Sequence, residues 1–85
     1  MAKDGTPYDE VTIPLEVSMM SNLQGLSLVR AWREHLGLTQ EEVARRMGVT
    51  RPAYAQMEAK GVRPRVPTLK KIAEAFGVEW EQVRE

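Results

Sequence analysis

The chain of 85 residues contains no cysteine and only one histidine, His35. Without cysteine it forms neither disulfides nor thiolate metal sites, and one histidine is too few for a metal centre built on several imidazoles. The same shortages leave no Cys–His pair and no Ser–His–Asp set for nucleophilic catalysis. The six glycines stand singly, so no glycine-rich phosphate loop is present. We therefore expect no enzyme, no metal site and no cofactor.

Long apolar runs are also missing. No stretch reaches the roughly 18 apolar residues of a membrane-spanning helix, and the first eight residues lack the apolar segment of a signal peptide. We expect a cytoplasmic protein without membrane association. A chain of this length makes a single domain that buries about 60–65% of its unfolded surface, so its core is small.

The net charge of zero hides three blocks of opposite sign. Residues 1–29 carry one lysine and four carboxylates, a balance of −3, and residues 72–85 carry one arginine and four carboxylates, again −3. Residues 30–71 carry ten arginines and lysines against four glutamates, a balance of +6. A basic middle is typical of a nucleic-acid-binding face. Ordinary solvated helix faces give the same totals, so charge alone does not decide.

The pattern predicts an all-α domain over residues 25–85, preceded by an N-terminal arm at residues 1–24. Glycines and capping residues separate the apolar, helix-spaced segments. Helices are predicted over residues 28–36, 40–47, 51–59 and 67–76, with a last turn at 78–84. Within the arm, residues 14–24 suit a further short helix that ends at Gly25 and has Leu15, Met19, Met20 and Leu23 as its apolar residues.

The arm also contains EVTIPL, residues 10–15, whose alternation of Val11 and Ile13 with polar neighbours is typical of a short extended strand. Pro14 ends such a strand or confines it to a sheet edge. A lone strand is not stable by itself, so it needs a second copy or the sheet edge of another protein. The alternative is an extended arm that lies along the body of the domain.

The stretch TQEEVARRMGVTRPAYAQME, residues 39–58, predicts two short helices joined by a tight turn at Gly48. Thr39 caps the first helix, with Glu42 placed to complete a capping box, and Thr50 caps the second. Such a pair allows the second helix to enter the major groove of DNA. The residues expected to lock the pair together are Val43, Ala44, Met47, Val49, Tyr54 and Met57.

The segment LTQEEVARRMGVTRPAYAQMEAKGVRP resembles the lambda-repressor-like (Cro/XRE-type) helix-turn-helix family, over roughly residues 28–83. The resemblance implies a five-helix fold and a transcriptional regulator, namely a repressor, that binds double-stranded DNA in a sequence-specific manner. It assigns a phosphate contact to Gln40 and a structural ion pair to Arg33 and Glu58. The base-reading positions that it implies are Arg51, Pro52, Ala55 and Gln56.

The chain departs from the family at two of these positions, because neither Pro52 nor Ala55 can make a bidentate base contact. Direct recognition then depends on Arg51, which suits guanine O6 and N7, and on Gln56, which suits adenine N6 and N7. Ala55 can still touch a thymine methyl group. Tyr54 is either a phosphate contact or a polar group satisfied at the edge of the core. The further phosphate contacts expected are Thr39, Lys60, Arg63 and Arg65.

Members of this family usually dimerise, so the resemblance also implies a homodimer, formed through Trp80 and Val83 or through Val11 and Ile13 of the arm. VTIPLEV, followed by VRAWREHLGLTQEEVA, resembles small XRE-type antitoxins encoded beside RelE/ParE-like toxins. That resemblance implies repression of the protein's own operon and binding of a toxin by the acidic arm. The alternative is a protein-interaction module or antitoxin that neutralises its partner without needing DNA.

Overall fold

The structure, a computed structural model, describes residues 13–85. They form five α-helices and a final 3-10 turn, without any strand in this part of the chain. The helices are α1 (Leu15–Gln24), α2 (Leu28–His35), α3 (Gln40–Met47), α4 (Arg51–Glu58) and α5 (Val66–Phe76), and the turn is Trp80–Gln82. The predicted all-α, five-helix fold is confirmed. None of these helices is both long and apolar enough to cross a membrane.

Half of the strand predicted over residues 10–15, namely residues 10–12, lies outside the described part. Of its remaining residues, Ile13 and Pro14 precede α1, and Leu15 is the first residue of that helix. Proline is tolerated there because the first amide groups of a helix have no partner within the helix. The predicted bounds of α3 match the observed ones, and those of α2, α4 and α5 differ by one residue at one end, as expected for frayed ends.

Three side-chain caps start the central helices. Ser27, Thr39 and Thr50 have extended backbones, and each side-chain oxygen accepts a hydrogen bond from the backbone N–H three residues later. The capping box expected at Thr39 is only half formed. The Glu42 carboxylate pairs with Arg46, 3.3 Å away, because a cation four residues later on the same helix face competes for it.

One hydrophobic core includes α1 as well as the other helices. Val17 is fully buried in the same cluster as Val29 and Ile72, so no gap in packing occurs at the boundary predicted between residues 24 and 25. The apolar residues predicted in α1 are divided between its two sides: Met20 contacts the core, whereas Leu15, Met19 and Leu23 are exposed. Both sides of α1 are therefore apolar, which the list of its apolar residues alone did not show.

The final turn is fastened to α2 by two long-range hydrogen bonds. Trp32 Nε1 donates to the carbonyl of Gln82 over 2.7 Å, and the Glu85 carboxylate accepts from the N–H of Leu28 at 2.6 Å. Val83, which we expected to contact a partner, is 1% exposed between these two bonds. It is a core residue, and the prediction of a partner contact there is corrected.

Trp80, the other residue expected at a dimer contact, is half-buried. Two cations lie against its ring: Lys70 Nζ is 5.8 Å from the ring centroid and the Arg84 guanidinium carbon is 5.2 Å away. Both distances are within the range of a cation–π interaction. The indole ring is therefore largely engaged within its own chain.

Gly48 lies between α3 and α4 with φ of 73°, a left-handed conformation. The N–H of the following residue, Val49, donates to the carbonyl of Ala44 and closes the turn. No atom lies within 4 Å of where a Cβ on Gly48 would stand, so a larger residue meets backbone strain and no clash.

We therefore expect Gly48→Ala to lower the free energy of unfolding by about 1–2 kcal/mol, the strain of a left-handed residue with a Cβ. Gly48→Asn should lower it less, because asparagine tolerates this conformation better. Urea denaturation followed by circular dichroism measures both. An unchanged midpoint for Gly48→Ala would show that the turn adopts another conformation.

Candidate nucleic-acid interface

A buried carboxylate, that of Glu58 at the end of α4, lies behind the exposed face of that helix. Glu58 is 3% exposed. Arg33 of α2 binds it through two parallel hydrogen bonds, from Nε to Oε2 at 2.8 Å and from Nη2 to Oε1 at 3.0 Å. Gln40, the first residue of α3, donates from Nε2 to Oε1 at 2.7 Å. Three helices thus meet at a single carboxylate, and the expected pair of Arg33 and Glu58 is its centre.

The same cluster also holds backbone groups that helix ends leave without partners. Arg33 Nη1 donates to the carbonyl of Leu38 at 2.8 Å, in the connection between α2 and α3. Ser27 Oγ donates to the carbonyl of Glu58 at 2.6 Å and so satisfies the end of α4. Neither contact was predicted, because both depend on how the helices pack.

The charges in this cluster stabilise each other. Burial raises the pKa of Glu58, but the hydrogen bonds from Arg33 and Gln40 outweigh it and bring the pKa below its ordinary value. The hydrogen bond to Glu58 raises the pKa of Arg33, against the opposing effect of burial. Both side chains are therefore charged at neutral pH.

Tyr54 is fully buried beside this pair, so its hydroxyl cannot reach a phosphate on the surface. Burial, followed by the neighbouring Glu58 carboxylate, raises its pKa. The hydroxyl has no well-aligned hydrogen bond to any group within residues 13–85. The phosphate contact expected of Tyr54 is therefore corrected. Its position four residues before Glu58 could have indicated this, because both side chains then lie on one helix face.

The outward side of α4 carries the residues expected to contact bases. Arg51, Pro52 and Gln56 are exposed and Ala55 is half-buried. Thr50 caps the helix and proline lies in its first turn, so this end of α4 is well ordered. The arrangement presents two side chains that can form bidentate hydrogen bonds, Arg51 and Gln56, together with a small apolar one between them.

Two shallow hollows adjoin α4 and meet at Gln40. The first is bordered by Thr39, Gln40 and Arg51, and the second by Gln40, Ala55 and Lys60. The structure thus brings together five of the residues expected to contact DNA. The exposed side chain of Thr39 also serves as the cap of α3, so its oxygen already accepts one hydrogen bond.

Arg30 borders both hollows and was not among the expected contacts. Its Nε lies 2.8 Å from Glu34 Oε2, an exposed pair on the same helix. Such pairs are weak in water and exchange partners readily. The sequence could have indicated Arg30 through its spacing, because it lies three residues before Arg33 and therefore on the same side of α2.

Gln40 has a competing hydrogen bond within the chain, and Lys60 lies close to the end of α1. The Gln40 amide nitrogen carries two hydrogens, of which Glu58 takes one and leaves the other for a phosphate. Lys60 Nζ is 3.5 Å from where a Cβ on Gly25 would stand, at the carboxyl end of α1. A cation is favourable at that end of a helix.

Arg63 and Arg65 lie on the other flank of α4. Both are exposed, and they line a separate groove of about 250 Å³ together with Met57 and Val62. Gln56 adjoins the same loop through a neighbouring hollow that it shares with Met57 and Val62. The basic side chains therefore stand on both flanks of the outward face of α4. Of the arm residues, Val11 lies outside the described part, and Ile13 is half-buried against the core.

A family model described as helix-turn-helix matches residues 29–83. The chain belongs to the helix-turn-helix family. A protein of Methanothermobacter thermautotrophicus named as an uncharacterized HTH-type transcriptional regulator is 43% identical over 53 residues, which cover 62% of this chain and 77% of that relative. No solved structure shows a significant match. The family expected from the central stretch is confirmed.

The helix-turn-helix unit should lose stability in acid through Glu58. The pKa of Glu58 is lower in the folded chain than the roughly 4.3 of a glutamate in the unfolded chain. Its stabilisation is therefore complete well above pH 4.3 and is lost as the pH falls through the folded pKa. We expect Glu58→Gln to cost about 3 kcal/mol at pH 7, since it leaves Arg33 without its counter-charge, and the difference from the parent to shrink below pH 4.

Glu42→Gln is the matched control. Glu42 pairs with Arg46 at the surface, where such a pair contributes less than about 1 kcal/mol. Urea denaturation at pH 7 and pH 3.5 compares the three proteins. A Glu58→Gln deficit that is the same at both pH values would mean that the charge of Glu58 contributes nothing.

Proposed function

We propose that this protein is a DNA-binding transcriptional regulator that inserts α4 into the major groove. The observation that carries the proposal is the outward face of α4, where Arg51 and Gln56 are exposed with basic side chains on both flanks. Membership of the helix-turn-helix family and the name of the archaeal relative support it.

In this proposal the base contacts are few. Arg51 pairs with guanine and Gln56 with adenine, each contributing about 1–3 kcal/mol of discrimination against a wrong base. Ala55 touches a thymine methyl group, and Pro52 limits how the first turn of α4 approaches the groove. A half-site recognised by two long side chains is short, so the remaining affinity must come from elsewhere.

Phosphate contacts supply that affinity. Gln40, at the N-terminus of α3, offers its remaining amide hydrogen beside free backbone N–H groups, an arrangement suited to an anion. Thr39, Arg30 and Lys60 stand beside it on one flank of α4, and Arg63 and Arg65 on the other. A homodimer that occupies two half-sites one helical turn apart would double the free energy of discrimination against a wrong site. Occupancy of an operator would make the protein a repressor.

The two classes of contact give different mutant behaviour. Duplexes selected from a random pool supply the operator, and fluorescence anisotropy measures binding. We expect Arg51→Ala and Gln56→Ala each to lower operator affinity roughly 5- to 100-fold and to relax the preference at one base pair. We expect Arg63→Ala to weaken binding to all sequences alike and to reduce the salt slope by about one.

Lys71→Ala is the control, because Lys71 is exposed on α5 and borders neither hollow beside Gln40. The operator affinity and the salt slope of the Lys71→Ala variant should equal those of the parent. If the Arg51 and Gln56 variants bind the operator as tightly as the parent does, the assignment of base contacts is wrong. If no duplex is selected at all, DNA binding itself is excluded.

A second candidate is an antitoxin that represses its own operon and neutralises a RelE/ParE-like toxin. The balance of −3 over residues 1–29 favours it, because an acidic segment suits a basic RNA-cleaving enzyme. In a variant of this candidate the protein neutralises its partner without any need for DNA. The arm would supply the contact, through Val11 and the acidic residues beside it.

This candidate predicts a neighbouring gene for a small basic protein whose growth inhibition is relieved by coexpression of this chain. We expect the two proteins to copurify, and Asp9→Lys with Glu10→Lys to reduce copurification while DNA binding is retained. The double change Glu79→Lys with Glu81→Lys alters charge equally in another segment and should have no effect. The absence of such a gene would remove this candidate.

A further inference from the structure

An apolar stripe on the outer side of α1 is left without a partner in the described chain. Leu15 is 70% exposed, Met19 46% and Leu23 75%. Residues spaced by four lie above one another on a helix, so the three side chains form one continuous stripe. Val17, on the opposite side, is fully buried and holds α1 in place on the body. The stripe is thus presented to solvent by an anchored helix.

The order of residues in the stripe is the same in both directions along α1: leucine, methionine, leucine. Two copies of α1 that meet in antiparallel orientation therefore match around a two-fold axis at Met19. Met19 then faces Met19 of the partner copy, and Leu15 faces Leu23. An interface of this kind is self-complementary, which is the requirement for a two-fold dimer. Methionine at its centre adapts to a symmetric contact with its own copy.

Charges at the two ends of α1 favour the same orientation. Glu16 is exposed at the amino end, next to the stripe, and α1 has no basic residue in its last turn. The positive charge near the carboxyl end of α1 belongs to Lys60, in the loop that follows α4. Its Nζ lies beside Gly25. Antiparallel pairing brings Glu16 of one copy to Lys60 of the other, whereas parallel pairing brings like charges together. The opposed helix dipoles are also favourable in the antiparallel arrangement.

We propose that a second copy of this chain covers the stripe Leu15–Met19–Leu23, in an antiparallel α1–α1 dimer with Glu16 facing Lys60. This deepens the homodimer proposed above, and it replaces Trp80 and Val83 as the contact. Standard interfaces bury about 800 Å² on each partner, and the stripe supplies only the apolar centre. We therefore expect a dimer that dissociates at concentrations on the order of micromolar. The dimer forms without DNA in this proposal, so it is testable in the absence of DNA, although Lys60 also belongs to the phosphate contacts of the proposed function.

Sedimentation velocity of the full chain over a range of concentrations, in the absence of DNA, measures the dimer. We expect Met19→Glu and Leu23→Glu each to raise the dissociation constant at least tenfold, while circular dichroism shows an unchanged fold. Leu36→Glu replaces another exposed apolar residue, outside the stripe, and should leave the constant unchanged. Val11→Glu, which alters the strand expected as an alternative dimer contact, should also leave the dissociation constant unchanged. A parent chain that stays monomeric at 100-fold the expected constant overturns the proposal, as does a dimer insensitive to both stripe variants.

Charge reversal tests the orientation. Glu16→Lys or Lys60→Glu alone should weaken the dimer, because each places like charges together, and the two changes in one chain should restore it. A mixture of the two single variants should form a mixed dimer in preference to either homodimer. An antiparallel pair is ruled out if Glu16→Lys dimerises as well as the parent does. Loss of operator binding in a variant that still dimerises concerns the proposed function alone.

Discussion

The single charge of Glu58, held away from water at the end of α4, constrains the rest of this fold. A buried carboxylate is unfavourable unless its oxygens accept enough hydrogen bonds. Arg33 and Gln40 supply them from two other helices, and Ser27 holds the backbone carbonyl of the same residue. The angle between α3 and α4 follows from this requirement, since both helices must bring one residue to the same point. The contacts on the buried side of α4 thus fix the direction in which its exposed face points.

The short-range features of the fold could be predicted from the sequence, because they depend on residues close together in the chain. The caps at Ser27, Thr39 and Thr50 and the turn at Gly48 are of this kind. The pair of Arg33 and Glu58 was anticipated from the family resemblance. Lys60 and Gln40 were also anticipated as part of the surface, but the contacts that each already makes inside the chain depend on the packing of helices.

Other features could not be predicted, for identifiable reasons. Helix α1 has apolar residues on both sides, so periodicity could not tell which side faces the core. Val83, in the last turn, was predicted to contact a partner. Its burial depends on the bonds from Trp32 and Leu28, more than 50 residues away in the sequence. For Tyr54 the sequence left open a phosphate contact and a place at the edge of the core, because a tyrosine suits both an interface and a core and only tertiary packing distinguishes them.

The helix that would enter DNA, α4, has only eight residues. A helix of that length is largely unfolded by itself in water, where about 12–15 residues are needed for even marginal stability. Its order therefore comes from the threonine cap at one end, from the buried carboxylate at the other, and from Tyr54, which packs in the core between them. The entropy of ordering the helix is lost when the domain folds and need not be lost again on binding.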